Sequence, residues 1–104
     1  MKRGARIRIA APIVAREPCP FTIEHWRRAV GFILRSWRRA SRVSQQEVAA
    51  QLGMDRSHLA RLELGHYEPG SYRLVTLILW YGRTIDEGLG VIARRAEFYS
   101  RRAK

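Results

Sequence analysis

From Thr22 onward, apolar residues recur at spacings of three and four, and capping residues or glycines cut that period into short pieces. Such a period fits helices and not strands, so the fold should be all-α. Thr22 has the side chain of an N-cap. Trp26, Val30, Ile33, Leu34 and Trp37 then form one apolar face of a first helix that should end near 40–42, with Arg28, Arg35, Arg39 and Arg42 on the opposite face. Ser44 and Glu47 make a capping box, stapled by Val43 and Val48, that opens a helix over 45–52 closed by Gly53. Asp55 should cap a third helix buried along Leu59 and Leu62 and ending near Gly65, and Ser71 a fourth with Leu74, Leu77, Ile78 and Tyr81 on one face. Thr84 and Glu87 form another capping box. Ile85, Leu89, Ile92, Ala96 and Tyr99 follow it as a seam narrow enough to dock against another helix, although Gly88 and Gly90 weaken the helix near its start.

The chain of 104 residues suffices for one small domain with a core that needs no staples. Its single cysteine, Cys19, excludes an internal disulfide framework and a cysteine-built zinc site, and points to a reduced, intracellular protein. No run approaches the ~18–20 apolar residues of a membrane span. The apolar stretch Ala10 to Ala15 is short and broken by Pro12, unlike a secretion signal. The net charge of +11 calls for a polyanionic partner, yet it is uneven: residues 44–70 carry −2, while each flanking segment is strongly basic. Residues 1–20 read as a basic amino-terminal arm, flexible or, given the alternation Arg6-Ile7-Arg8-Ile9, a short strand.

Two short helices joined by a glycine turn, capped by Ser44 and Asp55, form a helix-turn-helix by geometry alone, although an arbitrary helical bundle shows the same arrangement. The order of residues adds more. Val43-Ser44-Gln45, Glu47-Val48-Ala49, Leu52-Gly53-Met54, Leu59, Arg61-Leu62-Glu63, Gly65, Pro69, Leu74, Leu77, Gly82 and Thr84, preceded by Val30-Gly31, Leu34-Arg35 and Trp37-Arg38, resemble the lambda-repressor-like, Cro-type helix-turn-helix regulators over about residues 28–89.

That resemblance implies a five-helix domain over 21–88, with an extended carboxy-terminal helix over 85–104. Helix 45–52 would lie across the DNA backbone and helix 56–64 would enter the major groove. Gln45 would grip a phosphate. Arg56, Ser57 and Arg61, with His58 beside them, would read base edges, and Tyr67 would reach a phosphate with its hydroxyl. Arg38 and Glu63 match a pair that ties the first helix to the reading helix. Four positions depart from the pattern: Asp55, Leu64, Glu68 and Arg42, the last standing where glycine usually closes the first helix.

The function so implied is sequence-specific binding of double-stranded DNA by a transcriptional regulator. In its simplest form it is a repressor bound as a homodimer to a palindromic operator, in the cytoplasm of a bacterial or phage-type system. Trp80, Ile85, Leu89, Ile92 and Tyr99 are the expected dimer or partner contacts. The alternative is a protein-binding member of the same fold, an antitoxin or antiactivator that sequesters a toxin or a transcription factor; the acidic motif, the tail helix and Trp80 favour it. An exposed ridge of Arg56, Ser57 and Arg61 would argue for DNA, an apolar groove there for a protein. No enzyme is expected: His25, His58 and His66 lack ligand or triad spacing, and there is no glycine-rich phosphate loop, so neither metal nor cofactor is anticipated.

Overall fold

The computed structural model describes residues 18–103, and every regular element among them is an α-helix. The helices are α1 (Ile23–Ala40), α2 (Gln45–Leu52), α3 (Arg56–Glu63), α4 (Ser71–Trp80) and α5 (Ile85–Arg102). The basic arm falls largely outside the described residues; of its expected span only 18–20 is seen, and Ser100 Oγ donates to the Pro20 carbonyl at 2.7 Å.

Local chemistry fixes the helix starts. Ser44 accepts the Glu47 amide while the Glu47 carboxylate accepts the Ser44 amide, and Thr84 and Glu87 do the same for α5. Thr22 builds its box with an unusual partner: the His25 ring Nδ1 accepts the Thr22 amide where a Glu or Gln is common. Two expected caps are corrected. Asp55 occupies the N-cap of α3 but makes no side-chain hydrogen bond to it, and the N-cap of α4 is Gly70 (φ 84°), with Ser71 already inside the helix. α3 is also one residue shorter than expected, with Leu64 as its C-cap.

The tight α2–α3 turn needs a left-handed residue, and Gly53 supplies it at φ 66°. Arg42 adopts φ 59° just after α1, so a side chain bears there the strain a glycine would avoid.

Val30, Leu34, Val48, Leu59, Leu62, Leu77, Ile78 and Ile92 are fully buried and form one core. α1 packs along α5 and against α3, and α2 packs on α3. Two glycines set these distances. A Cβ on Gly31 would stand 2.5 Å from the Glu63 carbonyl oxygen and 2.7 Å from that of Leu62. A Cβ on Gly88 would meet Ile78 Cγ2 at 2.6 Å. The sequence marks Gly88 as a weak point of α5; in the fold it is the contact that lets α4 and α5 close.

The docking seam of α5 divides. Ile92, Ala96 and Tyr99 are buried in the chain's own core, whereas Ile85 and Leu89 remain exposed. Ile92 and Tyr99, expected as dimer or partner contacts, are therefore corrected to intramolecular ones, because their apolar surface is already covered within this chain.

We expect Gly31→Ala to destabilise the domain by about 1–3 kcal/mol, since helix backbone must move to admit the methyl group. Gly90→Ala, whose Cβ would meet only the mobile Arg94 guanidinium at 3.4 Å, should stabilise it by about 0.5–1 kcal/mol. Urea unfolding followed by circular dichroism measures both.

Candidate nucleic-acid interface

Glu63 lies at the last turn of α3 and is only 4% exposed. A carboxylate so buried needs compensating donors. Arg38 of α1 supplies two parallel bonds, Nε to Oε2 at 2.7 Å and Nη2 to Oε1 at 3.0 Å, and its Nη1 donates to the Val43 carbonyl at 3.1 Å. Gln45, the first residue of α2, donates its amide to Glu63 Oε1 at 3.0 Å and accepts from Arg56 Nη1 at 2.9 Å. The carboxylate thus collects α1, the α1–α2 loop and α2 around the end of α3, and the chain of bonds reaches Arg56, the first residue of α3. The Glu63 hydrogen bonds raise the Arg38 pKa further despite the opposing effect of burial, so the guanidinium stays charged.

Arg56, Ser57 and Arg61 are exposed on α3. The Arg61 side chain makes no hydrogen bond or ion pair among the described residues. Ser57, Arg61 and Leu64 are four and three residues apart and share one stripe. Leu64, 59% exposed, continues that stripe; the sequence marks it as unusual without assigning it a contact.

Other residues are placed differently from expectation. The amide side chain of Gln45, expected to grip a phosphate, is engaged within the fold. Tyr67 is half-buried: its ring lies 4.5 Å from that of His58, and its hydroxyl donates to the His58 carbonyl at 3.3 Å instead of pointing outward. Trp80, Ile85 and Leu89 are exposed around the turn that joins α4 to α5. Arg73, whose role the sequence leaves open, reaches back to the Met54 sulfur at 3.4 Å and so bridges α4 to the α2–α3 turn. Cys19 is a free, exposed thiol. Among the described residues no group of His, Cys, Asp and Glu could hold a metal ion, and no helix is long and apolar enough to cross a membrane.

Tyr81 packs against Trp37, and its hydroxyl is buried without a hydrogen-bond partner among the described residues. Burial, then the nearby Glu63 carboxylate, push its pKa up to about 12, with Arg38 opposing. The unfolded chain therefore gives up this proton near pH 10, before the fold does. The resulting stability is complete below pH 10 and is lost as pH rises through about 12.

Arg38→Met, which strands a buried carboxylate, should cost about 3–5 kcal/mol, and the double variant Arg38→Met/Glu63→Leu should recover most of that loss in thermal unfolding. Tyr81→Phe should fold at neutral pH with little penalty and flatten the decline in stability between pH 10 and about 12, read from unfolding midpoints across that range.

Residues 29–87 match the family model of a helix-turn-helix domain. No curated protein and no solved structure matches the chain. The matched stretch runs from the middle of α1 to the first turn of α5, enclosing the buried carboxylate, its donors and the exposed arginines of α3, and such a domain suggests a DNA-binding regulator. Spanning more than half of its residues, that match places the chain in the helix-turn-helix domain family.

Proposed function

We propose that this protein is a sequence-specific, DNA-binding transcriptional regulator of the lambda-repressor-like type. In this reading it is a cytoplasmic repressor that binds a palindromic operator as a homodimer. Residues 21–88 form the reading domain, 1–20 a basic arm and 85–104 a helix available for contact. The observation that carries the reading is the solvent-facing ridge of Arg56, Ser57 and Arg61 on a short helix held from behind by a fixed ion pair.

A guanidinium at the start of a helix in the major groove presents two parallel N–H donors that match O6 and N7 of guanine, a pairing worth about 1–3 kcal/mol of discrimination. In the free protein Arg56 rests on Gln45. That bond costs little to exchange, because both groups are exposed or half-exposed, and it keeps the side chain near its working position. Arg61 is free to extend one turn further along the groove. Gln45 then contributes its backbone N–H to a phosphate, while His58 and Tyr67 shape the edge of the site as a stacked pair. Because one short helix reads few base pairs, two copies spaced one DNA turn apart, roughly 34 Å, supply the specificity. The exposed Trp80, Ile85 and Leu89 are the apolar residues offered for that pairing.

The protein-sequestering alternative draws on exposed apolar side chains, among them Leu79 and Tyr72 on α4. Between Asp55 and Arg61, however, the outward groups are Asp55, Arg56, Ser57 and Arg61, which suit a charged, hydrogen-bonding ligand.

Selection of duplexes from a random pool should enrich one sequence, and the mass of the complex should correspond to two chains. Arg56→Ala or Arg61→Ala should then weaken binding to the selected duplex by about 1–3 kcal/mol while sparing random DNA. No enrichment, or equal losses on every duplex, would overturn the base-reading role.

A further inference from the structure

Beyond the reading helix, α1 and α5 carry a second concentration of positive charge. Arg28, Arg35 and Arg95 line a shallow cleft of about 400 Å³ together with Phe32, Tyr99 and Leu64. Two of the three guanidinium groups sit over rings: the Arg28 Cζ stands 3.9 Å from the centre of Tyr99, and the Arg95 Cζ 4.0 Å from that of Phe32. None of the three has a carboxylate within 4.0 Å among the described residues. Glu63 also borders the cleft, but its oxygens are taken by Arg38 and Gln45.

Three unpaired cations around one cleft repel one another, so the arrangement gains from a multivalent anion. Stacking selects the kind of anion. A guanidinium held over a ring still has its in-plane N–H groups to offer, the edge that forms bidentate bonds to phosphate. The same stacking covers Tyr99 and Phe32, so these rings are not open platforms for unpaired bases, which disfavours a single strand. Position points to a duplex: Leu64, on the cleft wall, is also the end of the α3 stripe that carries Ser57 and Arg61. Leu64 thus belongs both to that stripe and to the cleft.

We propose that the Arg28–Arg35–Arg95 cleft is a second phosphate-binding site, which takes the duplex backbone beyond the base pairs that α3 reads. This rests on the DNA-binding reading above. The cleft supplies affinity without sequence preference, because phosphates carry no base identity.

The test uses the full chain and a mixed-sequence duplex, with affinity followed by fluorescence anisotropy between about 50 and 200 mM salt. The variant Arg28→Gln/Arg35→Gln/Arg95→Gln should lower the magnitude of the slope of log affinity against log salt by about 2–3, near 0.9 for each lost phosphate contact. The corresponding triple lysine variant should restore the slope, since charge and not ring stacking releases the counterions. Arg83→Gln, at a position where Glu87 lies 3.9 Å away, should leave it nearly unchanged. Circular dichroism confirms the fold of each variant. An unchanged slope in the glutamine variant, with the wild-type chain binding duplex, would overturn the cleft and leave the reading helix standing. Failure of the lysine variant to restore the slope would assign the effect to lost packing and overturn it too. A wild-type chain that binds no duplex at all would overturn the DNA-binding reading itself, and the cleft with it.

Discussion

One buried carboxylate organises this domain. Glu63 is shielded from water yet receives donors from Arg38 and Gln45, so the relative placement of α1, α2 and α3 is set by where those donors must stand. Hydrophobic burial is tolerant of small slides, because its free energy follows area. A bidentate guanidinium–carboxylate pair is not, because a displacement of an ångström breaks two charge-assisted bonds and leaves a charge in a poor solvent. The core gives the domain its stability, and the ion pair gives α3 its orientation.

Gly31 belongs to the same constraint. It lies seven residues before Arg38 and therefore on the same face of α1, and the missing side chain lets α1 approach the carbonyls of Leu62 and Glu63. With a larger residue there, α1 would stand off from the end of α3, and the Arg38 side chain could not close a 2.7 Å bond to Glu63 without a shift elsewhere. A close backbone contact and an ion pair are two halves of one joint. The joint faces the core, and so α3 keeps Ser57 and Arg61, on its other side, for solvent, while Arg56 reaches the edge of the joint through Gln45.

Much of this is legible in the order of residues alone. The helices, the Thr22, Ser44 and Thr84 caps and the left-handed Gly53 follow from local rules that act within four residues, whereas Arg42 and the arginines of α3 stand out only through the family resemblance. What escaped was decided by distant partners. Nothing in the order of residues says that Gly31 meets the end of α3, or that Gly88 meets Ile78, since both contacts depend on helix crossing. The α5 seam from Ile85 to Tyr99 looks uniform, and only the packing of the other helices against it leaves Ile92 and Tyr99 covered while Ile85 and Leu89 are not. Asp55 had the right side chain for a cap, but that chemistry does not oblige it to form the bond. Tyr67 turned inward because His58 offered a ring and a carbonyl together. Arginine stacking on Tyr99 and Phe32 likewise joins α1 and α5 across the whole chain.

The acidic balance of the helix-turn-helix segment shows how charge in sequence differs from charge in space. Residues 44–70 carry four acids and two bases, which taken alone would repel a polyanion. Glu63, however, is neutralised by Arg38, a base that belongs to the preceding segment. Glu47 is drawn onto the Ser44 amide at the positive end of α2, where the helix dipole already offsets part of its charge. Asp55 and Glu68 remain exposed, against Arg56 and Arg61 on the ridge and against the cations that α1 and α5 bring alongside Leu64. A duplex meeting this surface would feel the sum of those fields, in which the arginines dominate, and the deficit counted along the chain disappears once the helices are folded against one another.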